Sequence, residues 1–167
     1  VNHPTDAPSR DMPAQIVFKS FDELPPLVGQ TIAVTDWIVI DQERINRFAQ
    51  ATDDHQWIHL DEARATKESP YGGTIAHGFL TLSMMAEFLQ SSLACEGISL
   101  GVNYGLNKVR FPAPVRSGSK IRAHIKLLGH EALPDQKALQ LVWGATIEIE
   151  GGDKPACVAE MITRWYA

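Results

Sequence analysis

Asp53, Asp54, His55, His59 and Asp61 crowd into one short stretch of the chain, Phe48-Ala-Gln-Ala-Thr-Asp-Asp-His-Gln-Trp-Ile-His-Leu-Asp61. A carboxylate and an imidazole a few residues apart can hold one water between them and take or return its proton. The charges alternate with Trp57, Ile58 and Leu60, which should draw the loop against the core and strip water from its polar groups. Desolvation raises the pKa of a carboxylate and lowers that of a histidine, moving both towards neutral pH. Two plainer readings stand beside this one. A polar segment after a helix can be an ordinary hydrated loop. The same Asp and His residues, with His77, also carry metal-ligating atoms. The spacing is less persuasive for a metal, since there is no His-x-x-x-His pair on a helix and no cysteine joins them.

A second chemical feature lies downstream in Ile75-Ala-His-Gly-Phe-Leu-Thr-Leu-Ser83. If a helix begins here, its first N–H groups lack internal partners and its dipole makes that end electropositive. Gly78 has no Cβ, so a ligand oxygen can approach its N–H closely. An oxyanion hole for a thioester carbonyl becoming an enolate has these requirements. The alternatives are close helix–sheet packing for Gly78 and a hydrogen-bonded core imidazole for His77.

The elements that must position these groups follow from periodicity. Ile32, Val34, Ile38 and Ile40 recur at even positions, as in a half-buried strand. Asp41 is placed to cap a short helix containing Ile45, Phe48 and Ala49 and ending near Thr52. Asp61 can cap another, through about Thr66, and Pro70, Gly72 and Gly73 break the chain. From Ile75 to Leu93 the sequence is apolar on nearly every side, with Glu87 its only charge, which predicts a helix buried all round. The wrapper comes next. Ile121 to Leu127, Leu139 to Ile149 and Cys157 to Trp165 each alternate apolar and polar residues, separated by Pro134-Asp135 and Gly151-Gly152-Asp153. Helices followed by about four strands imply α+β, an antiparallel sheet curved around a long central helix in the hot-dog arrangement.

Composition narrows the classes further. A chain of 167 residues, 44% hydrophobic, supports one domain, expected over residues 27–167 behind a flexible leader, 1–26, without signal-peptide character. No apolar run reaches the roughly 18 residues of a membrane span. The net charge of −5 argues against nucleic acid. Between Gly97 and His130, however, Lys108, Arg110, Arg116, Lys120, Arg122 and Lys126 occur without an acidic residue, a stretch suited to an anionic ligand or to solvated strand faces. Cys95 and Cys157 show no metal or redox spacing and are expected as free thiols in a reducing cytoplasm.

The run Phe48-Ala-x-Ala-Thr-x-Asp54-x-x-x-x-His59-x-Asp61, followed by the Ile75–Ser83 motif, resembles the signature of the MaoC-like dehydratases and (R)-specific enoyl-CoA hydratases. Gln56-Trp57-Ile58-His59, together with Asn103-Tyr-Gly-Leu-Asn-Lys-Val-Arg-Phe-Pro-Ala-Pro-Val115, is similar to the nodulation protein N-like subgroup. The resemblance runs from about Leu27 to the C-terminus. It implies a single hot-dog domain that forms a homodimer and acts as a hydro-lyase, reversibly hydrating trans-2-enoyl-CoA to (R)-3-hydroxyacyl-CoA without metal or redox cofactor. It puts the catalytic Asp and His at Asp54 and His59, Asp54 as base and His59 as water-orienting acid, with Gly78 meeting the oxyanion. His77, Asn103, Lys108 and Arg110 are expected to contact the substrate, carried by CoA or acyl carrier protein, with the basic stretch on the CoA phosphates. Two departures bear on the acyl pocket: many members have Gly where this chain has Asp53, and Pro where it has Trp57. A hot-dog acyl-CoA thioesterase and a non-catalytic acyl-thioester binder would need similar groups. Hydration, hydrolysis with release of thiol, and binding without turnover tell the three apart.

Overall fold

The computed structural model describes residues 16–167. Strand β1 (Ile16–Phe18) is followed by two short 3-10 turns, strands β2 (Thr31–Val34) and β3 (Ile38–Ile40), and helices α1 (Gln42–Thr52), α2 (Trp57–Leu60) and α3 (Glu62–Glu68). Helix α4 (Gly78–Ser92) then leads into β4 (Leu93–Cys95), β5 (Leu100–Arg110), β6 (Ser119–Leu133), β7 (Ala138–Ile149) and β8 (Cys157–Tyr166). The large sheet has the order β2-β6-β7-β8-β5, with β3 also pairing β6, and all these pairings are antiparallel. The α+β architecture, with the long helix against an antiparallel sheet, is the one expected.

The alternating apolar sets point where their periodicity says they should. Ile121, Ile125, Leu127, Leu141, Trp143 and Ile147 are fully buried against Leu80, Met84, Met85 and Phe88 of α4. Trp143 keeps its indole N–H satisfied by donating to Thr163 Oγ at 2.9 Å. Burying one large side chain of this kind contributes about 1.5–3 kcal/mol. Cys157 lies in the same core, where burial pushes its thiol up to about 11, and neither cysteine is bonded to the other.

Three expectations change. The even-numbered run from Ile32 to Ile40 is two strands, because both segments dock on successive stretches of β6. The leader was expected to reach residue 26. Residues 1–15 lie outside the described residues, but β1 pairs in parallel with β4, and Phe18 and Leu24 are buried in the core. Helix α4 is not buried all round. Phe79 is 69% exposed, and Ser83 and Gln90 are also open, leaving a stripe that faces the groove beside β5. That strand, at the sheet edge, is largely uncovered and exposes Leu100, Val102, Tyr104 and Leu106. No helix among the described residues is long and apolar enough to cross a membrane.

Candidate active site

Helix α1 delivers the chain to the site. Asp41 caps it through Arg44 N–H at 2.8 Å, Ile45 and Ala49 bury its inner face, and Asp53 ends it in the left-handed region at φ 57°. Asp53 therefore turns its carboxylate away; its side chain is 96% exposed, with His55 Nε2 at 3.8 Å. Asp54 follows on the inside of this bend.

The next turn, α2, is too short to stand alone, since isolated helices of less than about 12–15 residues are marginal in water. Bonds to the segment before α4 hold it. Ile75 N–H donates to Ile58 O at 3.1 Å, and His59 Nδ1–H donates to Ile75 O at 2.7 Å. On the opposite side, Trp57 lies under the Arg64 guanidinium at 4.1 Å, so the indole braces α2 against α3. The segment before α4 is itself pinned: Ala76 N–H donates to Val115 O at 2.7 Å, and Ile75 bridges Arg116. These backbone bonds explain why the helix begins at Gly78 rather than at Ile75.

His77 ends this segment as the N-cap of α4, although its side chain makes no cap bond. It is only 3% exposed. Its Nε2–H donates to the Asp54 carbonyl at 3.0 Å, and its ring stacks on His59 with centroids 3.8 Å apart and planes inclined by 26°. Phe48 lies against its edge at 5.0 Å, and His77 Nδ1, also buried, has no hydrogen-bond partner among the described residues.

Asp54, His59 and His77 thus converge, with one ligand atom from each lying within 4.8 Å of the others. The Asp54 side chain is 55% exposed and open to a ligand, whereas His59 is 7% exposed. Burial holds the His59 pKa below its ordinary value; the Ile75 carbonyl opposes this, and the neighbouring His77 adds to it. Because Nδ1 carries the proton given to Ile75, the free Nε2 of the neutral ring is an acceptor. A water making two bonds of about 2.8 Å at a tetrahedral angle spans about 4.6 Å, a span that fits within the 4.8 Å bounding the ligand atoms of Asp54 and His59. The cluster suits a metal ion less well. Ligands bound at about 2.1 Å in a tetrahedron lie about 3.4 Å apart, and His77 Nε2 is already committed to a carbonyl.

Gly78 opens α4, and its N–H has no partner among the described residues. A Cβ built at Gly78 would sit 3.1 Å from the Phe111 ring, which in turn packs edge-on against Phe79 at 6.1 Å. The glycine thus serves two ends, leaving an amide open and letting the segment that follows β5 close on the helix start.

The four expected substrate contacts fare differently. His77 is buried beneath the pair instead of lining an open pocket. Asn103, exposed on β5, lines a groove of about 250 Å³ with Leu82, Ser83 and Ala86, well along α4 from Gly78. Lys108 is paired with Glu160 at 2.9 Å. Arg110 donates to Val109 O at 2.7 Å and adjoins Phe111. Three bases of the stretch are paired with acids across strands, Lys108 with Glu160, Lys120 with Glu150 and Arg122 with Glu148, which also bonds His124. Antiparallel pairing brought the acids of β7 and β8 opposite bases that stand alone in the linear sequence. Sequence reasoning missed Gln42, whose amide donates to His59 O at 2.7 Å. Its distance along the chain gave no signal.

Residues 23–146 match the family described as MaoC like domain. The chain is 47% identical to 3-hydroxyacyl-thioester dehydratase Z of Mycobacterium tuberculosis over 150 residues, covering 90% of this chain and 98% of that protein. It is 43% identical to nodulation protein N of Rhizobium meliloti, covering 86% and 89% respectively. Among solved structures, the monoamine oxidase regulatory protein from Archaeoglobus superposes with a TM-score of 0.72 at 21% identity, covering 92% of this chain and 99% of that one.

Proposed function

The chain belongs to the MaoC-like domain family, and from that premise we propose that it is a hydro-lyase of acyl thioesters, an (R)-specific enoyl-CoA hydratase that also runs as a 3-hydroxyacyl dehydratase. The observation that carries this reading is the convergence of Asp54 and His59, whose ligand atoms lie within 4.8 Å and leave room for a shared water, beside the open amide of Gly78.

In the hydration direction, a water accepts orientation from the Asp54 carboxylate and presents its oxygen to C3 of the enoyl thioester. As the C3–O bond forms, the C2=C3 electron pair moves towards the thioester, whose oxygen becomes an enolate. The Gly78 N–H and the α4 dipole meet that charge. The attacking water gives one proton to His59 Nε2, and its other hydrogen remains on the new hydroxyl. The His59 imidazolium then returns its proton to C2 as the enolate collapses. A single nitrogen accepts and returns the proton on one face of the substrate, which yields syn addition. In this reading proton transfer falls to His59 and orientation to Asp54, the reverse of the division expected with the resemblance. The reason is the Ile75 carbonyl, which fixes the His59 tautomer, and the burial that keeps the ring neutral. No step calls for a metal or redox cofactor.

We also propose a homodimer, with a second copy covering the open edge of β5, where Leu100, Val102, Tyr104 and Leu106 face solvent in the single chain. CoA and acyl carrier protein are the proposed carriers. The test is a chain-length series of trans-2-enoyl-CoA substrates with chiral analysis of the product. Loss of enoyl absorbance with the thioester intact and an (R)-3-hydroxyacyl product is expected. Release of free thiol would instead identify a thioesterase, and tight binding without turnover a non-catalytic acyl-thioester binder.

A further inference from the structure

We propose that Gln42, at the first position of α1, is the positioning residue that sets the His59-bearing turn at its working distance from the helix start at Gly78; this rests on the hydratase reading above. The Gln42 amide is fully used. Its Nε2 donates one proton to His59 O at 2.7 Å and one to Asn46 Oδ1 at 2.9 Å. Its Oε1 accepts from the Thr74 hydroxyl at 2.6 Å. Thr74 is buried and immediately precedes Ile75, whose carbonyl holds the His59 ring.

One planar amide therefore joins the two segments that carry the chemistry. On one side it grips the main chain of His59, the residue that moves the proton. On the other it grips the start of the segment running through Ile75 and His77 to Gly78. The ring of His59 is bonded to that same segment, so backbone and side chain are fixed to one frame by separate bonds. Helix α1 provides the rigidity, because Asp41 caps it and Ile45 and Ala49 anchor it in the core. Without the amide, the single turn of α2 retains its bond from Ile75 N–H but loses the restraint on the His59 carbonyl, and the ring can pivot. A misplacement of about 1 Å can reduce catalysis by about 100-fold.

The test uses the full chain. Gln42→Glu keeps the acceptor for Thr74 and removes both donors. An acidic residue also suits the first turn of a helix, which offsets part of the bonding lost, so this variant should still fold. Gln42→Leu removes both functions without adding charge. Expected for both is a loss in kcat of about tenfold or more, KM held within about twofold, and loss or marked broadening of the His59 Nδ1–H signal in proton NMR. Thr74→Ser should retain that signal and most of the rate, whereas Thr74→Val should weaken both. If Gln42→Glu and Gln42→Leu fold and keep kcat within about twofold with the His59 proton unchanged, the proposal fails. It also fails if the rate falls while the His59 proton stays unperturbed, because the residue would then act elsewhere. Should the wild type turn over no enoyl thioester, the hydratase reading falls, and the NMR comparison alone decides the role of Gln42.

Discussion

Replacing Asp54 by Asn separates the two members of the catalytic pair. The amide has nearly the size of the carboxylate, and the main-chain oxygen that His77 holds at 3.0 Å is untouched, so the loop should keep its course. Among the described residues the carboxylate accepts one weak hydrogen bond, from Gln56 N–H at 3.5 Å, and lies 3.9 Å from His77 Nε2. What the substitution removes is a charge-assisted bond to the reacting water. Such bonds are worth about 1.5–3 kcal/mol, and because Asp54 is half open to solvent no larger share is assigned to it. At about 1.4 kcal/mol per tenfold, the expected loss in kcat/KM is about 10- to 150-fold. His59→Gln removes the proton carrier itself, for which about 10²–10⁴-fold is expected. The assay is the disappearance of enoyl absorbance by purified, folded variants across a range of pH. The Asp54→Asn profile should keep the acidic limb of the wild type, since that limb belongs to His59. A variant that loses this limb, or falls below His59→Gln in rate, would refute the assignment of proton transfer to His59.

Three further outcomes follow from the geometry. The folded His59 pKa lies below its unfolded value of 6.5, so the stability gained by keeping this ring neutral is fully present above that pH and is lost as pH falls through the lower folded value; urea midpoints of wild type and His59→Gln measured down the pH scale should converge in acid. Gly78→Ala should push Phe111 aside and slow the reaction, and adding Phe111→Ala should relieve the clash without restoring the rate if the methyl also obstructs the oxyanion; recovery in the double variant would show that packing alone was at fault. Asp53→Gly should stabilise the fold by about 0.5–1 kcal/mol, read as a rise in the urea midpoint, because Asp53 holds a positive φ, and should leave kcat unchanged because its side chain faces solvent.

How far the sequence discloses this molecule depends on whether the relevant forces are local. Asp41 as a cap, the alternation through β6, β7 and β8, and the grouping of Asp54 with His59 are set by neighbours in the chain, and the structure has each of these local features as expected. The first residue of α4 was misplaced because Ile75 and Ala76 are taken by the backbones of Ile58 and Val115, partners that no local pattern announces. β5 gave no clear alternation, since both its faces are open in the single chain and Gly101 and Gly105 interrupt it. The acidic partners of Lys108, Lys120 and Arg122 were hidden for a related reason. A run of bases in one dimension meets its acids only when antiparallel strands lie side by side. Gln42 was invisible because an amide in the first turn of a helix is unremarkable until its partners at His59 and Thr74 are known.

The bond from Ile75 N–H to Ile58 O has an architectural consequence. It ties a knot at the base of the excursion that contains α3, so the chain leaves the reaction centre and comes back to the same place. Residues could be added to or trimmed from the tip around Ser69 to Tyr71 at little entropic cost, since lengthening a closed loop costs only slowly increasing free energy. The segment can thus change length while the proton-handling groups stay where they are.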